Sequence, residues 1–161
     1  MTDSAATTPD SLDISDIPRS ARSEALLAAV RERVVIADGA MGTMLQDAAP
    51  SMEDFLHLEG CNEILNVTRP DIIGSIHDAY LETGIDAVET NTFGANWSNL
   101  SDYGIDERIE ELSRAGAEIA RRSVEAFEAR DGRRRFVLGS IGPGTKLPSL
   151  GHTTYAHLKA T

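Results

Sequence analysis

The chain has 161 residues, with 15 Lys plus Arg against 26 Asp plus Glu, a formal net charge of −11 at pH 7 and a sequence pI of about 4.7. So acidic a chain excludes the counterion-release chemistry of nucleic-acid binding, and no apolar stretch approaches the roughly 20 residues that cross a bilayer. A lone cysteine and an N-terminus without the basic start and apolar core of a signal peptide point to one small, soluble, cytoplasmic domain.

Residues 1–20 hold Asp3, Asp10, Asp13 and Asp16 among Ser, Thr and Pro, and are expected to form a disordered acidic tail; residues 21–161 form the domain. Leu26, Leu27 and Val30 recur at near-helical spacing before Arg31 and Glu32, which predicts a short amphipathic helix. The apolar run from Val34 to Ala37 reads as a buried strand and stops at the turn Asp38-Gly39-Ala40-Met41-Gly42-Thr43. The stretch around Arg69-Pro70-Asp71 has a helix-start signature, with Thr68 as a candidate cap; Ile72, Ile73, Ile76 and Tyr80 form its apolar stripe and Gly84 its left-handed stop. Asp86 to Phe93 reads as a second strand that turns polar towards its end. A loop with Trp97 and Tyr103 leads to a long helix marked by Ile109, Leu112, Ala115, Ile119 and Phe127, with Gly116 a blemish in the pattern. Phe136-Val137-Leu138 is a third strand, reached through Arg133-Arg134-Arg135, which reads as a solvated approach.

Strands alternating with helices predict an α/β protein with a parallel sheet, either open and doubly wound or a closed eight-stranded barrel. In both, function gathers where strands end, which singles out Asp38, then Glu89 and Asn91, then Ser140. Asp38 closes an apolar strand, so its carboxylate either caps the following turn or meets a ligand cation. The glycine spacing around it is wrong for a dinucleotide fingerprint, and Gly39 and Gly42 are expected to serve positive φ or close backbone approach. Alternation places Glu89 and Asn91 on one side of their strand, in a pocket or in a hydrogen-bond network between strand ends. Gly139 to Gly144 has phosphate-loop spacing, but Thr145 precedes Lys146 and Pro143 lacks an N–H, so a rigid turn whose amides could receive a carboxylate is the better reading. Cys61 is expected to be a buried small hydrophobe, and His57, His77, His152 and His157 have no metal-site spacing. His77 borders the core on this reading, and His152 is the histidine best placed for function.

The segments Asp38 to Thr43, Glu89-Thr90-Asn91-Thr92-Phe93-Gly94 and Gly139 to Lys146 together resemble the homocysteine S-methyltransferase family. Gly60-Cys61-Asn62-Glu63-Ile64-Leu65-Asn66, leading to Arg69-Pro70, is most like its cobalamin-dependent members. The resemblance implies a (β/α)8 TIM barrel that binds homocysteine at the C-terminal ends of its strands, on zinc held by three cysteine thiolates, and methylates the thiol to give methionine. It also implies methylcobalamin as donor, recharged from 5-methyltetrahydrofolate, on other modules of a longer chain. By matching position, Asp38 would face the amino group of homocysteine, Glu89 and Asn91 would line the same pocket, and the turn with Ser140 and Gly142 would shape its floor. No position matches a zinc ligand, since those cysteines belong to later strands and Cys61 to an early loop. With about three βα units where eight strands need about 250 residues, the chain is expected to be the N-terminal part of an incomplete barrel. An unpaired sheet edge would be exposed and no catalysis would occur without the rest. The alternatives are a stand-alone methyltransferase using S-methylmethionine or betaine, and a non-catalytic half-barrel binding module.

Overall fold

The computed structural model of the chain describes residues 19–160. The chain divides into two units, Met1–Arg33 and Val34–Thr161. Of the expected acidic tail, residues 1–18 lie outside the described residues. The rest of the first unit is helix α1, Ala21–Glu32, whose start is fixed by Ser20 Oγ accepting the Ser23 N–H at 3.1 Å. None of its residues is fully buried: Leu26 and Leu27 are half-buried and Val30 is 51% exposed.

The second unit is an α/β assembly with parallel strands. Strand β1, Ala87–Glu89, pairs with β2, Phe136–Leu138, in parallel register, Ala87 opposite Phe136 and Glu89 opposite Leu138. The run ending at Ala37 lies on the other side of β1 but joins it by a single parallel bridge, Ala37 to Ala87. It was expected to be a buried strand. Instead Val34 and Ile36 are 81% and 56% exposed, and the segment's ladder pairing with β1 is limited to that bridge among the described residues. Its register is nonetheless pinned: Asp38 N–H donates to Ala87 O, Asp86 and Ala87 N–H to Ile36 O, and Ile36 N–H to Asp86 Oδ2. Three strand ends are thereby brought level.

Helices α2 (Met41–Ala48), α3 (Leu65–Thr68) and α4 (Pro70–Glu82) follow in order, with a 3₁₀ turn at Asn62–Ile64 before α3. Pro70 takes the first position of α4, where its missing N–H is harmless, and Gly84 just beyond the end adopts φ +86°. Thr68 is not the cap; Arg69 occupies that place and the Thr68 hydroxyl donates to Ile64 O instead. The loop with Trp97 contains a short helix, α5 (Trp97–Asp102), capped by Asn96 Oδ1 on Asn99 N–H. Helix α6, Ile109–Asp131, ends on left-handed Gly132. A 3₁₀ turn at Pro148–Leu150 and α7, Tyr155–Ala160, complete the described chain.

Two apolar clusters hold these parts together. Cys61, Ile64, Leu65, Ile73, Ile76, Leu112 and Ile119 join α3, α4 and α6, while Leu81, Val88, Ala120, Val124 and Phe127 seat α4 and α6 on β1. Gly116 is required by this packing: a Cβ there would stand 2.8 Å from both Asn66 Nδ2 and Thr92 Cγ2. Arg135 corrects the solvated reading of the arginine run. It is 2% exposed, with its guanidinium on both oxygens of Asp131 and 5.6 Å from the Phe127 ring centroid. No helix among the described residues is long and apolar enough to cross a membrane.

Candidate functional site

The level strand ends open on one cleft of about 280 Å³, lined by Asp38, Glu89, Asn91 and Ser140. Gly142, the fifth predicted residue, borders a neighbouring hollow instead, under the Phe93 carbonyl, where an added Cβ would come within 2.4 Å of that oxygen. A larger groove of about 800 Å³ runs along α6 past Ile109, Ala117 and Val137 and includes none of Asp38, Glu89, Asn91 and Ser140. Its lining offers no convergent strand-end polar groups, so the smaller cleft is the candidate site.

Asp38 forms the base of the cleft. Its side chain is 4% exposed and its Oδ1 accepts the Glu89 N–H at 2.8 Å. Burial pushes its carboxyl above the ordinary range; the Glu89 carboxylate adds to the push and the Glu89 N–H works against it. Glu89 is exposed to the cleft and accepts Ser140 Oγ–H at 3.3 Å, tying the second strand end to the third. Asn91 lines the same cleft, but its amide is committed, donating to Asn62 O and Asn66 Oδ1 at 2.9 Å each. Asn66 returns a bond to Asn91 O at 2.8 Å and reaches Leu112 O at 3.1 Å, linking α3, the strand end and α6. Asn91 therefore braces the wall it helps to form.

Sequence reasoning missed Glu63. It lines the cleft from the Asn62–Ile64 turn, 8% exposed, and its Oε1 accepts the Gly94 N–H at 2.7 Å. Its only signal in the sequence is its place in the Gly60-Cys61-Asn62-Glu63-Ile64-Leu65-Asn66 segment, because its partner lies 31 residues away. Two expectations about backbone also change. The left-handed residue of the first turn is Ala40, φ +50°, whereas a Cβ on Gly39 or Gly42 would meet nothing within 4 Å. The turn after the third strand is tied down, with Ser140 N–H on Thr90 Oγ1 and Gly142 N–H on Phe93 O, so those two amides are not open to a carboxylate. Lys146 is held by Asp102.

The cleft also has a positive side. Gly39 to Gly42 border it where α2 begins, and the N-cap residue of that helix, Ala40, makes no side-chain cap, which leaves the first turn without that acceptor among the described residues. Carboxylates on one side and a bare helix start on the other suit a small molecule with both an ammonium and a carboxylate.

A family model described as homocysteine S-methyltransferase matches residues 35–161, which takes in all three strand ends. The chain belongs to that family. Among homocysteine S-methyltransferase relatives, it is 58% identical over 134 residues to a methionine synthase of Mycobacterium tuberculosis (strain ATCC 25618 / H37Rv), covering 83% of this chain and 11% of that protein. It is also 58% identical over 130 residues to a methionine synthase of Mycobacterium leprae (strain TN), covering 81% of this chain. The chain thus spans about 11% of the length of these relatives. Among solved structures it is similar to the homocysteine methyltransferase MmuM from Escherichia coli, in its oxidized and metallated forms. That match has a TM-score of 0.61 and 25% identity, covering 73% of this chain and 40% of the oxidized form.

Among the described residues, no group of three or more His, Cys, Asp or Glu could hold a metal ion. Cys61 is fully buried, and burial pushes its thiol up, away from the thiolate a metal needs. The residues present do not fit zinc.

Proposed function

We propose that this chain is the N-terminal part of the homocysteine-binding (β/α)8 barrel of a methionine synthase, an enzyme that moves a methyl group onto the homocysteine sulfur as the thiol proton leaves. The observation that carries the substrate is the two-signed cleft. The homocysteine ammonium pairs with Asp38, whose orientation is fixed by the Glu89 N–H at 2.8 Å. Glu89 and Ser140 close the wall beside it, joined at 3.3 Å, and the carboxylate lies towards the uncapped start of α2. Gly142 shapes the neighbouring turn rather than touching substrate.

The 58% identity to methionine synthases supports a cobalamin- and 5-methyltetrahydrofolate-dependent donor on further modules. The 25% likeness to MmuM is weaker support for a stand-alone enzyme using S-methylmethionine or betaine. Zinc and its thiolates belong, on this proposal, to barrel strands beyond the residues described, and the location is cytoplasmic, in keeping with a single cysteine without a disulfide partner.

The test is Asp38→Ala in the complete protein. Removing a buried partner of the substrate cation should weaken homocysteine binding by about 30-fold or more, with zinc content unchanged. Unaltered homocysteine affinity would remove Asp38 from the site.

A further inference from the structure

Behind Asp38, on the side away from the cleft, stands a histidine that the proposed reaction does not use. His77 lies on α4, 0% exposed, and neither ring nitrogen has a hydrogen-bond partner among the described residues. Its Nδ1 is 4.0 Å from Asp38 Oδ2, the carboxylate oxygen that the Glu89 N–H leaves free. A buried imidazole without partners is costly, by about 1–3 kcal/mol for each unsatisfied group, and such orphans in a folded protein call for an explanation. Burial pushes His77 down to about 4, the nearby Asp78 charge opposing, so at neutral pH the ring is uncharged with one N–H to give. A side-chain movement of about 1 Å brings 4.0 Å into hydrogen-bond range.

We infer that His77 is a positioning residue for substrate: its Nδ1–H closes on Asp38 Oδ2 when a cation enters the cleft, so that both carboxylate oxygens are held and their free lone pairs face the ammonium. The closure is coupled to binding because an ammonium in the cleft favours the ionised carboxylate, and an ionised carboxylate is the stronger acceptor. The imidazole touches neither sulfur nor methyl group. Its effect is on homocysteine affinity, through the orientation of Asp38.

This inference rests on the proposed role of Asp38, and the experiment separates the two. In the complete methyltransferase, homocysteine KM and kcat are measured for His77→Phe, which keeps the ring volume without a donor, and for His77→Asn, whose amide stands where Nδ1 was. His77→Phe should raise KM about tenfold, with kcat at saturating homocysteine nearly unchanged, and His77→Asn should bring KM back to within about threefold of the parent. Should His77→Phe fail to fold, His77→Gln replaces it, because its longer amide reaches the Nε2 position and cannot serve Asp38. The same substitutions are repeated on Asp38→Asn, where the His77 effect should vanish. Equal KM for the Phe (or Gln) and Asn variants, or a His77 effect that persists on Asp38→Asn, overturns the positioning role. An Asp38→Asn protein with parental KM overturns the reading of Asp38 itself.

Discussion

At the residue scale, the geometry of the cleft depends on a few positions with no spare room. Gly116 sits inside α6, where alanine would ordinarily add about 1 kcal/mol. A Cβ 2.8 Å from Asn66 Nδ2 would push on the side chain that braces the strand end of Asn91. Gly116→Ala is therefore expected to destabilise the chain by about 1–3 kcal/mol despite the propensity gain, read from the denaturant midpoint; a more stable variant would contradict the packing. Ala40 holds a left-handed conformation at the edge of the cleft, φ +50°, a strain of about 1 kcal/mol at the start of α2. His77 supplies a pH signature. Its pKa is lowered from 6.5 to about 4 by burial, so the unfolded chain binds the extra proton within that window. Stability from this group is fully present above about pH 6.5 and lost as pH falls towards 4, by up to about 3 kcal/mol. Asp38, raised by burial, works in the opposite direction, since protonating it relieves that burial. The check is the difference between His77→Asn and the parent: the variant should lose the slope between pH 6.5 and 4, and identical pH profiles would contradict the buried, neutral imidazole.

At the element scale, the hinge between α6 and β2 is an ion pair. Arg135 is 2% exposed and closes on Asp131, whose side chain is 33% exposed, one turn before the strand begins. The arginine beside it holds the Asp131 carboxyl far below the ordinary carboxylate range. Removing the two partners is not equivalent. Asp131→Ala leaves a buried guanidinium without the carboxylate that takes both its terminal nitrogens and should be the more destabilising change. Arg135→Met leaves a carboxylate that can reach water and should cost less. Thermal unfolding of the two variants checks the order, and a reversed order would mean that packing of the Arg135 stem outweighs its charge. The same scale explains α4, whose Pro70 start and Gly84 stop fix its length so that Ile73, Ile76 and His77 all face inward.

At the scale of the whole molecule, the sheet has open sides. Among the described residues β2 pairs only with β1, and the Val34–Ala37 run makes one bridge. The groove of about 800 Å³ along α6, bordered by Val137, is uncovered as well. The solved relative carries more than twice this length of matched chain, since the match covers 40% of it. The 161 residues purified alone are expected to self-associate through these surfaces, and a monodisperse monomer in light scattering at tens of micromolar would contradict that. They should also bind zinc no better than a chain with one buried thiol; stoichiometric tight zinc in metal analysis would place a metal site within this chain.

Much of this was legible in the sequence because it is local. The limits of α4 follow from Pro70 and Gly84 and the buried face of α6 from a 3.6-residue apolar period, and Asp38, Glu89 and Ser140 stand at or near the places where apolar runs stop. The likeness to a methyltransferase family rests on the same short motifs. Tertiary structure decided what depends on residues far apart in the chain. Glu63 reaches the cleft through an amide 31 positions away, Asp38 meets the N–H of Glu89 51 positions away, and Gly116 is required by side chains from two other segments. Arg135 is buried because Asp131 and Phe127 of α6 receive it, although the arginine run alone reads as solvated. Local propensity can set an element and its ends, but a side chain's partner is set by how elements pack. One residue type can therefore be a cap, a brace or a ligand with no change in its immediate neighbours.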